Sequence, residues 1–499
     1  MAAGKEEYSF CENYMVIKPE QASFSDLLRI LLCSSELEKR DFLNTPVQGG
    51  GLTRFRHRWI VFISVLLQKV LLCLKTPLAA AGSAVELFLN LPAANGGYHR
   101  LFFNLLTGRV VRPDKSSATF RSIAANVDKR FDRIIRFNSN TTKESREYYY
   151  YASSMAMMAS KLTYEHKSFV RNVVTNNWQM EFMEFYSFWN DYEEQDTTQA
   201  IMFRDRNVDP NLIVVAFRGT EPFNADDWRT DVDISWFEFN GIGKIHGGFM
   251  KALGLQKSTG WPKEISPGPD RKSYAYYTIR ETLRALFRLE ENENPTRFLL
   301  TGHSLGGALA ILFAGLLAVH EEELLLDRLE GVYTFGQPRV GNEQFGEYMK
   351  WKMRDYDVKY FRFVYSNDIV PRLPYDDDDN IFLFKHFGPC LYFNSCYEGQ
   401  VLEEEPNKNY FSFLSIIPKI LTAVYQLIRS FILPWTKGEE YKEGWLMRLF
   451  RVTALGFPGF TDHILVDYVN LTRLGKLFIP GDQTKISDKT RQIDTVIYS

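Results

Sequence analysis

Residues Arg297-Phe298-Leu299-Leu300-Thr301-Gly302-His303-Ser304-Leu305-Gly306-Gly307 run from a short apolar stretch into a Gly-x-Ser-x-Gly pentapeptide. Ala308-Leu309-Ala310-Ile311-Leu312-Phe313-Ala314, a strong helix former, follows at once. The order reads as buried strand, sharp turn, helix. Such a turn holds its central serine in a strained backbone conformation with the hydroxyl exposed, and the two glycines carry no side chains that would clash across it. Ser304 is therefore read as a catalytic nucleophile, and the rest of the chain must supply its partners.

A serine hydroxyl attacks only when a histidine takes its proton, and a carboxylate must orient that histidine. Behind an elbow of this kind the acid follows the serine in the chain and the histidine follows the acid. Val358 to Tyr365 is rich in aromatic and β-branched residues and reads as a strand; Asp368 lies just past its carboxyl end, where open α/β sheets place their sites. Of the eight histidines, five do not follow Ser304, and His320 closes the elbow's own helix. His386, in Lys385-His386-Phe387-Gly388, and His463, in Thr461-Asp462-His463-Ile464, remain as bases, with Asp467 as a weaker rival for the acid.

Five blocks give the chain a wider likeness: Val215-Ala216-Phe217-Arg218-Gly219-Thr220, His246-Gly247-Gly248-Phe249, the elbow, Tyr333-Thr334-Phe335-Gly336-Gln337-Pro338-Arg339-Val340-Gly341-Asn342, and Asn367-Asp368-Ile369-Val370-Pro371-Arg372-Leu373-Pro374. Across residues 145–475 it resembles the class 3 lipases, fungal and plant triacylglycerol lipases with an α/β-hydrolase fold. The resemblance implies Asp368 as the acid, His463 as the base, and an oxyanion hole built from the backbone N–H of Thr220 and of Leu305. Removing one such donor costs about a hundredfold or more in rate. Neither a metal nor an organic cofactor is implied.

Composition is compatible with this. A chain of 499 residues exceeds one α/β domain, and a net charge of −2 with interspersed acids and bases argues against a nucleic-acid partner. Five scattered cysteines suggest free thiols, with Cys390 and Cys396 the one local pair that could bridge. Residues 1–10 hold two acids and no apolar core, so no secretory or transit peptide is expected there, and the sequons at Asn140 and Asn470 are expected to stay unmodified. The acidic run Asp376–Asp379 reads as a solvated loop.

The sequence divides into a mainly helical extension over 1–140, a lipase domain over 141–480 with an insertion at about 376–455, and a tail over 481–499. Within the extension, Arg54, Arg56, His57 and Arg58 precede an apolar stretch from Trp59 to Leu74; Pro77 separates it from a second apolar arm, Leu78 to Leu91. The expectation is an amphipathic hairpin at about 54–92 that contacts a lipid surface, the alternative being a helical hairpin packed on the lipase core. In the insertion, Pro418 to Pro434 carries a wide apolar face beside a narrow stripe of Lys419, Thr422, Gln426 and Ser430, as either a buried helix or a lid or interface-binding helix would. Trp228, Trp236, Phe237 and Phe239 stand where class 3 lipases carry their mobile lid.

Within that family the long extension, the Lys385–Gly388 block and the region before His463 make the chain most similar to plant oil-body lipases. The resemblance implies hydrolysis of stored triacylglycerol at the cytosolic face of the lipid droplet. A phospholipase A1 or galactolipase would use the same triad, and a droplet-coat protein on a retired lipase fold is a third reading.

Overall fold

The computed structural model describes residues 10–11, 13–32, 41–46, 55–131, 134, 146–257, 259–265, 272–290, 295–374, 384–407 and 416–478. Asn140, Cys33, Arg54, the acidic run 376–379 and the tail 481–499 lie outside them.

Thirteen strands among these residues form two sheets. The smaller sheet joins β1 (Asn13–Ile17), β2 (Leu43–Asn44), β6 (Trp236–Phe239) and β7 (Gly243–His246) in the order β2-β1-β6-β7, all antiparallel. The larger has nine strands: β3 (Glu181–Asn190), β4 (Gln195–Arg204), β5 (Leu212–Phe217), β8 (Arg297–His303), β9 (Leu329–Phe335), β10 (Lys359–Tyr365), β11 (Cys390–Phe393), β12 (Glu398–Leu402) and β13 (Lys476–Phe478). Its order is β13-β12-β11-β10-β9-β8-β5-β4-β3, with β5, β8, β9, β10 and β11 parallel.

That parallel centre is buried on both faces, as parallel sheets must be. Along β5, Ile213, Val215 and Phe217 enter one core, which also takes the elbow helix Leu305–Val319. Leu212, Val214 and Ala216 point the other way, into a core shared with the helices Arg146–Leu162 and Leu465–Leu474. Layers of helix, sheet and helix around a parallel centre make this an α/β-hydrolase fold.

The amino-terminal region is woven into this architecture. Met15 pairs with Trp236 and Tyr14 with Phe237, and both of these aromatics of β6 are buried while Phe239 is half-buried. Trp236 and Phe237 are thus sheet residues rather than part of a free lid; the short helix Ala225–Val232, carrying Trp228, precedes them.

The expected hairpin is corrected. Phe55–Ala94 is one continuous helix that runs through Pro77 and Pro92, about 60 Å long at ~1.5 Å per residue. A proline removes one backbone donor and strains the turn before it, at about 3 kcal/mol, without forcing the chain to reverse. Here the helix is held on both sides of Pro77: the Ser64 hydroxyl donates to Val232 O at 2.6 Å, Lys75 pairs with Asp226 at 2.9 Å, and Asn90 exchanges hydrogen bonds with Arg121.

The orientation of this helix is unusual. His57, Ser64, Gln68 and Asn90 are buried, while Phe55, Leu67, Val70, Leu74 and Phe88 are exposed. The helix Ile416–Lys437 repeats the arrangement, with Lys419, Gln426, Arg429 and Ser430 turned inward and Ile417, Leu421, Ile428, Phe431 and Trp435 outward. On the helix Trp445–Thr453, Arg451 is buried while Trp445, Leu449 and Val452 are exposed. The polar stripe read in the sequence around Gln426 therefore faces the protein, not water, and the buried polar residues of Phe55–Ala94 do the same. Both long helices have the length and apolar character to cross a bilayer.

Candidate active site

Ser304 follows β8 directly and adopts φ 59°, ψ −131°, the left-handed region that a serine rarely enters. The strain is held by packing and by the Ser304 N–H, which donates to Phe335 O at 2.9 Å. A Cβ on Gly302 would stand 2.1 Å from the Gly306 backbone, and one on Gly306 would stand 2.2 Å from Phe217 O. Only glycine fits either position.

Of the two histidines left open by spacing, His463 is the one the fold brings to Ser304. His463 Nε2 lies 2.8 Å from Ser304 Oγ, and Nδ1 lies 2.8 Å from Asp368 Oδ2. With a neutral imidazole, the serine hydroxyl donates to Nε2 and Nδ1–H donates to the carboxylate. His386 sits elsewhere, buried with Nε2 2.7 Å from Pro371 O, and burial lowers its pKa well below the usual histidine range. Asp467 is committed to arginines.

Asp368 is fully buried and anchored from two further directions. The Tyr468 hydroxyl donates to Oδ2 at 2.5 Å, and Val370 N–H donates to Oδ1 at 2.9 Å. Asp462, beside His463, accepts the Asn367 N–H at 2.9 Å, so the loops that carry Asp368 and His463 are tied together. Gly336 lies under their meeting point at φ +60°: a Cβ there would be 2.8 Å from Asp368 Oδ2 and 3.0 Å from the His463 ring. Sequence reading quoted Gly336 only within a block; the signal available was a glycine directly after a strand adjoining both β8 and β10.

His303 was also overlooked. Its ring stacks on His463, centroids 4.6 Å apart; Nε2 lies 2.9 Å from His463 O and Nδ1 2.9 Å from the Tyr164 hydroxyl. Nε2–H donates to the carbonyl, so Nδ1 accepts from Tyr164. Burial first, and the neighbouring His463 second, push the His303 pKa well below the ordinary value, so it stays neutral.

The Arg218–Thr220 loop presses its backbone against the elbow. A Cβ on Gly219 would meet Tyr164 Oη at 2.1 Å and His303 O at 2.4 Å. Arg218 is fixed by Glu221 at 2.9 Å and by Asp227 at 3.3 Å. The Thr220 hydroxyl donates to Asp231 Oδ2 at 2.6 Å, and burial raises the Asp231 pKa to about 7. Leu305 is the first residue of the elbow helix, so its N–H has no acceptor within that helix. Gly219 and Leu305 line one small cavity with Arg218 and Leu309.

His246 caps the helix Gly247–Leu253 through Nδ1, stacks on Phe249, and is pushed down to about 4 by burial. Among the four described cysteines, Cys390 and Cys396 are both free, so no bridge joins them. Asn470 is buried and bonded to Tyr397 and Arg130, closed to glycosylation in the folded chain.

A strained serine at a strand end, hydrogen-bonded to a histidine that is hydrogen-bonded to a buried carboxylate, is the constellation of a serine hydrolase. The class 3 lipase family profile matches residues 214–378. The chain is 41% identical to triacylglycerol lipase OBL1 of Arabidopsis thaliana, over 93% of this chain and 95% of that one. It is 35% identical to triacylglycerol lipase OBL1 of Ricinus communis, over 94% and 96%. The solved triacylglyceride lipase of Rhizomucor miehei covers 51% of this chain and 81% of its own at 22% identity and a TM-score of 0.34. The chain belongs to the class 3 lipase family and is a carboxylic-ester hydrolase.

Proposed function

We propose that this hydrolase cleaves triacylglycerol at the cytosolic surface of lipid droplets, with Ser304 as nucleophile, His463 as base and Asp368 as the acid that orients it. His463 removes the Ser304 proton as Oγ attacks the acyl carbonyl. Charge develops on the carbonyl oxygen, where the Thr220 and Leu305 N–H groups receive it. The imidazolium formed at His463 is stabilised by Asp368, and its proton passes to the departing diacylglycerol oxygen. Water then enters, activated by the same histidine, and releases the fatty acid.

The observation that carries the substrate assignment is the inverted polarity of three helices. Exposed apolar residues scattered singly need no explanation, but faces that turn their arginines and glutamines inward and their leucines and tryptophans outward do. Such faces suit a lipid phase, from which an acyl chain must reach Ser304 without crossing water. The relatives matched over nearly their whole length are triacylglycerol lipases, which supports the same substrate.

Rates on emulsified triolein and on phosphatidylcholine vesicles test this. Faster triolein cleavage is expected; faster phospholipid cleavage would make the protein a phospholipase A1. In cells, deleting residues 59–91 should move the protein off droplets, and an undisturbed location would refute the surface role of the long helix.

A further inference from the structure

The helices Ile416–Lys437 and Trp445–Thr453 are fastened to the catalytic part by buried charge as well as by apolar contacts such as Met447 against Val466. Arg429 and Arg451, 3% and 1% exposed, point inward from them. Both meet Asp467: Arg429 Nη2 donates to Oδ1 at 3.2 Å, and Arg451 Nη2 donates to both oxygens at 3.0 Å. Arg451 also donates to Glu443, from Nε at 2.5 Å and from Nη2 at 3.0 Å. Two guanidiniums and two carboxylates make a charge-balanced buried cluster. Gln426 extends it, donating to Tyr365 Oη and Ser366 Oγ at 3.4 Å each.

The cluster ends on the site. Asp467 lies on the helix Leu465–Leu474, which begins two residues after His463. Its neighbour Tyr468 donates to Asp368, and Ser366 stands two residues before Asp368. One set of side chains thus grips the helix behind the base and the loop that carries the acid.

Ionic clusters of this kind are poor sources of net stability, since apolar residues of similar volume do as well or better. They do offer one thing apolar packing cannot. Against a lipid phase, an apolar contact between helix and core has no hydrophobic driving force, because acyl chains are as apolar as leucine. Charge pairing instead strengthens as the surrounding dielectric falls. A tether of arginines therefore keeps the insertion attached while its outer face lies in lipid.

We infer that Arg429, Arg451 and Glu443 are positioning residues for ester hydrolysis: they link the lipid-facing insertion, through Asp467 and Tyr468, to the geometry in which Asp368 holds His463. The inference rests on the Ser304–His463–Asp368 reading. It is tested with the full-length protein on a soluble ester, p-nitrophenyl butyrate, in the absence of lipid. Arg451→Met should lower kcat by roughly tenfold or more with KM unchanged, because a small displacement of reacting groups is costly. The acid limb of the kcat–pH profile should move upward, since a carboxylate that loses the Tyr468 donor binds the imidazolium more strongly. Arg451→Lys, which keeps the charge but not the fork, should recover part of the rate.

The outward-face variant Leu421→Ser/Trp435→Ser should leave kcat, KM and the pH profile on this ester unchanged. A folded Arg451→Met protein, with native near-ultraviolet circular dichroism and wild-type kcat and pH profile, would overturn the inference. Where Arg451→Met does not fold, Glu443→Gln keeps the shape and removes one charge, and wild-type kcat in it overturns the inference equally. Ser304→Ala is run in parallel: hydrolysis surviving there sinks the nucleophile assignment and the inference with it, whereas an inert Ser304→Ala beside a wild-type Arg451→Met sinks the inference alone.

Discussion

Replacing Leu421, Ile428 and Trp435 together with serine strips the outer face of the helix Ile416–Lys437 without touching its buried stripe. The three side chains are 64%, 54% and 89% exposed. Fully burying a side chain of this kind is worth about 1.5–3 kcal/mol, so the exposed fractions leave ~3–6 kcal/mol to be gained on transfer to lipid. That corresponds to a partition coefficient ~100-fold to ~10,000-fold lower for the triple variant. Folding should be spared, because these atoms touch little of the protein. The assay is flotation with phosphatidylcholine-coated triolein emulsions over a range of lipid concentrations, with thermal unfolding in lipid-free buffer alongside. Binding that stays within a few-fold of wild type would refute the reasoning. So would a melting temperature lowered by more than about 4 °C, which would mean the face is packed inside the fold.

Three further outcomes are expected. Gly336→Ala should lower kcat by about a hundredfold or more with the fold retained, because its methyl would intrude 2.8 Å from Asp368 Oδ2; near-normal turnover would contradict the packing. Tyr468→Phe removes a charge-assisted donor from Asp368 and should lower kcat roughly tenfold, read by steady-state kinetics on a soluble ester. Asp231 titrates at 3.8 when unfolded and at about 7 when folded, so the unfolded chain ionises first as pH rises. Its contribution to stability therefore falls between about pH 4 and 7, and Asp231→Asn should flatten that part of the pH dependence of urea midpoints; an unchanged slope would argue against the raised pKa.

How much could be read from the sequence depends on how local each requirement is. The elbow was legible because its geometry is imposed within five residues: Gly302 and Gly306 are needed where a Cβ would collide with backbone. Asp368 could be placed because its strand announces itself by composition. His463 could not be separated from His386 by local pattern, since what distinguishes them is contact with Ser304, 159 residues away. Trp236 and Phe237 resembled an exposed lid because the strand that covers them, Asn13–Ile17, lies more than 200 residues earlier in the chain.

Pro77 read as a break because its cost is local, while the contacts that carry the helix past it are distant. The stripe of Gln426 was visible, but a period gives two faces and not which one is wet. On the insertion helices, Arg429 and Arg451 among apolar residues were the available hint. Their meaning depends on Asp467, which the sequence offered only as a rival acid.

The central claim is that Ser304 hydrolyses triacylglycerol. Its most direct test is to treat the full-length protein with a fluorophosphonate, map the adduct by mass spectrometry, and follow fatty-acid release from emulsified triolein in the same samples. The account predicts a single adduct on Ser304, release that declines in proportion to labelling, and an Ser304→Ala protein that neither labels nor hydrolyses. Triolein hydrolysis that persists with Ser304 fully modified or replaced would contradict it.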